Sequence, residues 1–160
     1  MNARNSSPSI PMGAFATAQD NGLLRTLLGS CLGVALYDRR LKVAGLSHIV
    51  LPDSLGSTEM PGKFADTAIP TLIRAMQALV SGETLRLTAK VAGGANMFSA
   101  TGAANTIGTQ NAQAVERILA ELRIPILGRH CGGEQGRRMA LDTATGVVTI
   151  EVVGQESVTL

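Results

Sequence analysis

Apolar positions in this chain fall into short dense runs separated by glycine and polar breaks. Leu23–Leu28 is the first, ending at Gly29-Ser30, and reads as a strand. Residues 32–37 and 43–51 follow, parted by Asp38-Arg39-Arg40-Leu41-Lys42, which is a hairpin signal. Residues 52–62 carry the Pro, Ser and Gly of a loop. Phe64, Ala68, Leu72, Ile73, Met76, Leu79 and Val80 then recur at helical spacing, predicting a helix over 66–80 that stops at Gly82. Pro70 suits that helix only in its first turn. Leu85, Leu87, Ala89 and Val91 alternate with polar residues, as in a strand with one solvated face, and the strand ends at Gly93-Gly94-Ala95. Ala112, Val115, Ile118, Leu119 and Leu122 predict a second helix, with Thr109 as its N-cap. Residues 124–127, 137–141 and 147–153 read as further strands.

Two helices among about six mostly hairpin-linked, antiparallel strands predict an α+β fold: a single layered domain over residues 21–160. No regular βαβ array is visible. Residues 1–20, rich in Ser, Pro, Asn and Ala, are expected to form a flexible tail.

Composition narrows the function. The chain is 45% hydrophobic but 2% aromatic, so its core must be aliphatic. A net charge of +2, scattered basic residues and missing aromatics argue against a nucleic-acid surface. No run is long and apolar enough for a signal peptide or a membrane span. Two cysteines a hundred positions apart make no disulfide framework, so a reduced, cytoplasmic protein is expected.

With two Cys and two His in the chain, candidate chemistry is confined. If Arg39-Arg40 are the hairpin loop, Cys31 falls directly opposite His48; a four-residue loop keeps both on one face, and an odd-length loop separates them. A cysteine beside a histidine can act as nucleophile and base. Thr26, in the preceding strand, can orient the imidazole, and a neutral partner of this kind suggests only a modestly activated thiol. A lone Cys in an apolar strand, however, also packs simply as a small core residue. A zinc site from all four Cys and His is disfavoured, because His130 and Cys131 are neighbours and point to opposite faces of an extended segment. Gly93-Gly94-Ala95-Asn96 lacks the Lys-Ser/Thr ending of a phosphate loop and reads as a turn.

Longer motifs separate these readings. Leu28-Gly29-Ser30-Cys31 and Gly45-Leu46-Ser47-His48-Ile49-Val50-Leu51-Pro52 resemble the signature of the CheD family of chemoreceptor glutamine deamidases. So do the segments from Pro61 to Ala68 and from Ala89 to Phe98, Ile107-Gly108 with Asn111, Gly132-Gly133 with Arg137, and Thr145-Gly146, all in family order. The resemblance implies a Cys31, His48, Thr26 triad. In some members the threonine stands six residues before the cysteine, which in this chain is Arg25. It further implies a protein-glutamine glutaminase that converts glutamines of methyl-accepting chemotaxis receptors to glutamate through a thioester. Oxyanion and turn support would come from Gly29 and Ser30, with no metal or organic cofactor. A CheC-type phosphatase is an implied further partner. The alternative is a module that binds such a phosphatase or a receptor, with weak hydrolase or methylesterase activity. Cys131 is expected to be structural, with substrate-side contact as the alternative, and His130 is given no role.

Overall fold

A computed structural model of the chain describes residues 7–97 and 106–160; residues 1–6 of the expected tail, and Phe98 at the end of its motif, lie outside the described residues. Nine strands and two α-helices follow in the order β1 Phe15–Gln19, β2 Leu23–Leu28, β3 Leu32–Asp38, β4 Val43–Ile49, α1 Ala65–Gln77, β5 Thr88–Gly93, α2 Ile107–Glu121, β6 Ile126–Cys131, β7 Arg137–Asp142, β8 Val148–Glu151 and β9 Val158–Thr159. They form two sheets, one ordered β1-β4-β3-β5-β6 and the other β2-β7-β8-β9. Every strand pair is antiparallel except β5 with β6. This is the α+β class that the apolar runs imply.

The central strands β3 and β4 are buried along their whole length, because each face meets a different apolar layer. Leu32, Val34, Leu36, Val43 and Ile49 pack on one side with Ala68, Ile69, Leu72 and Met76 of α1 and Val115 and Leu119 of α2. On the other side Cys31, Ala35, Tyr37, Ala44 and Leu46 pack with Leu28, Met139, Leu141, Val148 and Ile150 of the second sheet. The candidate site lies in this layer between the sheets.

Local structure departs from the sequence pattern at several points. Ser9 to Gln19, expected in the flexible tail, is ordered against the sheets: Ile10 is buried, Ser9 bridges Arg25, and Phe15–Gln19 adds β1 to the edge of β4. Short apolar residues there pair their backbone with β4, which a compositional reading does not register. Pro70 lies inside α1, beyond its first turn. The lost i→i−4 hydrogen bond is outweighed by the anchored face of Ala65, Ala68, Ile69, Leu72 and Met76. Helix α2 starts earlier than expected, and its N-cap is Thr106, whose hydroxyl accepts from the Thr109 amide at 3.2 Å. Strand pairing of β5 begins at Thr88, since the Arg86 amide donates instead to the buried Asp38 carboxylate at 2.7 Å. Finally, β5, α2 and β6 form one parallel βαβ unit, although the strand spacing suggested none.

Candidate active site

The loop between β3 and β4 has four residues, so Gly33 rather than Cys31 lies opposite His48. The register therefore differs by two residues from a two-residue hairpin. Because strand side chains alternate with a period of two, Cys31 and His48 still face the same layer, as diagonal neighbours whose Cα atoms are about 7–8 Å apart in such a register. The position between them holds no side chain. A Cβ on Gly33 would lie 2.5 Å from the Met139 sulfur and 2.9 Å from Leu28.

Residues Gly29 to Cys31 carry the chain from the second sheet to the first, and three successive carbonyls of this crossing accept hydrogen bonds. Ala95 N–H donates to Gly29 O at 2.9 Å, the Asn111 side-chain amide to Ser30 O at 3.2 Å, and Gly94 N–H to Cys31 O at 2.9 Å. Gly93 makes the last contact possible. Its φ is +106°, and a Cβ there would sit 2.2 Å from Cys31 O, a collision no side chain could relieve. The Gly93-Gly94-Ala95 turn thus braces the cysteine. The sequence marked the turn but not what it braces.

Thr26 faces inward from β2, only 3% exposed. Its hydroxyl donates to Ile10 O at 2.7 Å, which uses its single proton. Thr26 Oγ1 must then accept from His48 Nδ1, also 2.7 Å away. Ile10 O lies 3.2 Å from the same nitrogen and requires a proton there too. These acceptors place the imidazole proton on Nδ1 and leave the Nε2 lone pair free. Nε2 is buried and makes no hydrogen bond among the described residues. Arg25 points away from the site and donates to Ser7 O, so the residue that meets His48 is the threonine five positions before Cys31. Sequence reading missed the Ile10 carbonyl, since a main-chain acceptor in a supposed tail leaves no side-chain signal.

Burial pushes the Cys31 thiol above its ordinary pKa. It also pushes His48 below the usual imidazole value, partly offset by the Ile10 carbonyl. Both shifts favour a neutral resting pair, and His48 Nε2 does not bond to the thiol. Neither shift points toward the modest thiol activation that the sequence suggests.

The remaining Cys and His lie elsewhere. His130 offers Nδ1 to the Arg137 guanidinium at 2.9 Å, which also donates to the carbonyls of His130 at 2.6 Å, Gln135 at 3.2 Å and Gly132. Arg137 thereby folds the 130–135 turn around itself, beside an open cleft of about 530 Å³. Cys131 is exposed. Among the described residues no helix is long and apolar enough to cross a membrane.

A buried thiol and a neutral, tautomer-fixed imidazole on one sheet face are the parts of a cysteine hydrolase. Comparison with known proteins makes the assignment specific. Residues 50–152 match the family model described as CheD chemotactic sensory transduction. Three relatives bear the name "Probable chemoreceptor glutamine deamidase CheD". That of Clostridium botulinum (strain Eklund 17B) is 49% identical over 138 residues, covering 84% of this chain and 85% of the relative. That of Desulforamulus reducens is 47% identical over 141 residues, covering 86% and 84%, and that of Clostridium acetobutylicum 44% over 139 residues, covering 84% and 82%. The chain belongs to the CheD family.

Proposed function

We propose that this chain is a glutamine deamidase acting on methyl-accepting chemotaxis receptors, with Cys31 as nucleophile, His48 as base and Thr26 as the group that orients it. The observation that carries this reading is the His48 tautomer, with Nδ1–H committed to Thr26 and Ile10 and the Nε2 lone pair free.

The steps follow from that geometry. As Cys31 sulfur attacks the glutamine side-chain carbon, its proton passes to His48 Nε2, so charge separation arises only with substrate in place. Backbone N–H groups of Ser30 and Cys31 accept the negative charge that develops on the amide oxygen. The imidazolium returns its proton to the leaving nitrogen, the C–N bond breaks, and ammonia departs, leaving a thioester. Water then gives a proton to Nε2, attacks the thioester carbon, and releases glutamate with the thiol restored. The balance is one glutamine side chain and one water giving one glutamate carboxylate and one ammonium ion, the departing ammonia taking up the proton that the new acid releases.

Reduced thiols suit the cytoplasm, where we place the reaction. Family membership also makes a CheC-type phosphatase a candidate partner, testable by co-purification. The deciding assay incubates the purified chain with the cytoplasmic part of a chemoreceptor, then measures ammonia and the mass of receptor peptides. Amide-to-acid conversion at discrete glutamines supports the reading. Stoichiometric receptor binding without ammonia would replace it with a binding module, and methanol release from methylated receptor with an esterase.

A further inference from the structure

We infer that Asn111 is a positioning residue for this reaction, setting the direction of the Cys31 N–H and locking the nucleophile's segment to the end of the strand that carries His48. The inference rests on the deamidase reading above.

Asn111 lies on α2, fully buried, and its single NH₂ group is divided between two carbonyls. One is Ser30 O at 3.2 Å, in the crossing just before Cys31; the other is Val50 O at 2.9 Å, two residues beyond His48. One side chain thus ties together the backbone segments of nucleophile and base. Its Oδ1 is buried with no hydrogen-bond partner among the described residues. A half-satisfied buried amide is costly, so this position is not explained by filling space. An apolar residue would fill it without the orphaned oxygen.

The consequence is directional. In a trans peptide the carbonyl of one residue and the N–H of the next point in opposite directions. Ala95 N–H holds Gly29 O, and Asn111 holds Ser30 O. Each of the Ser30 and Cys31 N–H groups therefore points away from the donor that holds the preceding carbonyl, and neither donates to any described group. Both are open to donate to an oxyanion that develops beside the thiol. Of the two, the Cys31 N–H is set by a side chain, and that side chain is Asn111.

The test separates oxyanion alignment from thiol access. Alkylation of Cys31 by iodoacetamide is a displacement at saturated carbon and builds no oxyanion, whereas deamidation does. Asn111→Ala and the isosteric Asn111→Asp should lower kcat for receptor deamidation by about tenfold to a hundredfold. KM and the alkylation rate of Cys31 should stay within about twofold of wild type. Asn111→Asp should also recover relative to wild type as pH falls, because the protonated acid can again donate one hydrogen bond. Unchanged kcat in folded variants would overturn the proposal. So would alkylation falling in parallel with deamidation, or loss of folding in both variants at every pH, each of which leaves Asn111 a packing residue. Cys31→Ala, assayed alongside, would reveal failure of the deamidase reading itself, independently of Asn111.

Discussion

Thr26 Oγ1 and His48 Nδ1 lie 2.7 Å apart, joining the two sheets of the molecule, and the Thr26 proton is already spent on Ile10 O. That relationship decides which imidazole nitrogen keeps a free lone pair. Thr26→Ala should therefore slow deamidation while His48→Ala nearly abolishes it. Removing a neutral acceptor of this kind is worth about 1–2 kcal/mol, or about tenfold to thirtyfold in rate. Steady-state kinetics on the two variants checks the order. A Thr26→Ala enzyme as fast as wild type would mean that Ile10 O alone fixes the tautomer.

Cys31→Ala should eliminate ammonia release with the fold retained, whereas Cys131→Ala should remain active, since Cys131 lies exposed at the end of β6. Peptide mass spectrometry of receptor incubated with each variant reads both results. Substantial deamidation by Cys31→Ala would rule out the nucleophile.

Because burial raises the Cys31 pKa and no imidazolium offsets it, the alkylation rate of the free protein should reach its midpoint above the roughly 8.5 of free cysteine. His48→Ala should leave that midpoint in place while losing deamidation. A midpoint well below the free value, rising in His48→Ala, would instead reveal a preformed thiolate–imidazolium pair.

The same two shifts set a stability window. His48 in the folded chain titrates below its unfolded value of about 6.5, so the unfolded state takes up the extra proton first and stability falls as pH drops below that point. Cys31, raised above about 8.5, loses its proton first when unfolded, so stability falls as pH rises past that value. Melting temperature against pH should be highest between these limits. His48→Asn should flatten the acid side. Cys31→Ala should reduce the alkaline slope. Slopes identical to wild type in both variants would contradict the burial argument.

Gly93→Ala should cost about 2 kcal/mol or more in urea unfolding, and deamidation should fall with it. Both effects come from one geometry, a left-handed φ of +106° with Cys31 O only 2.2 Å from the added carbon. An Ala variant with wild-type stability and rate would show that the crossing loop is free to move.

Local pattern in the chain was sufficient to mark β2, β3 and β4, both helices and the α+β class, because each depends on apolar spacing within a few residues. Side-chain parity was legible too: Cys31 and His48 face the same layer whether the loop between β3 and β4 has two residues or four. What spacing could not supply was any partner set by main-chain groups far along the chain. Ile10 O reaches His48 only because Ile10 packs beside β2 and β1 pairs with β4. Cys31 O is held only because β5 lies next to β3 and Gly93 admits the contact. Residue identity singled out Cys31 and His48 as candidates, and a period of two put them on one face. The hydrogen bonds that select the His48 tautomer, and the burial of the pair, come only from how the layers stack, because they depend on main-chain groups far along the chain.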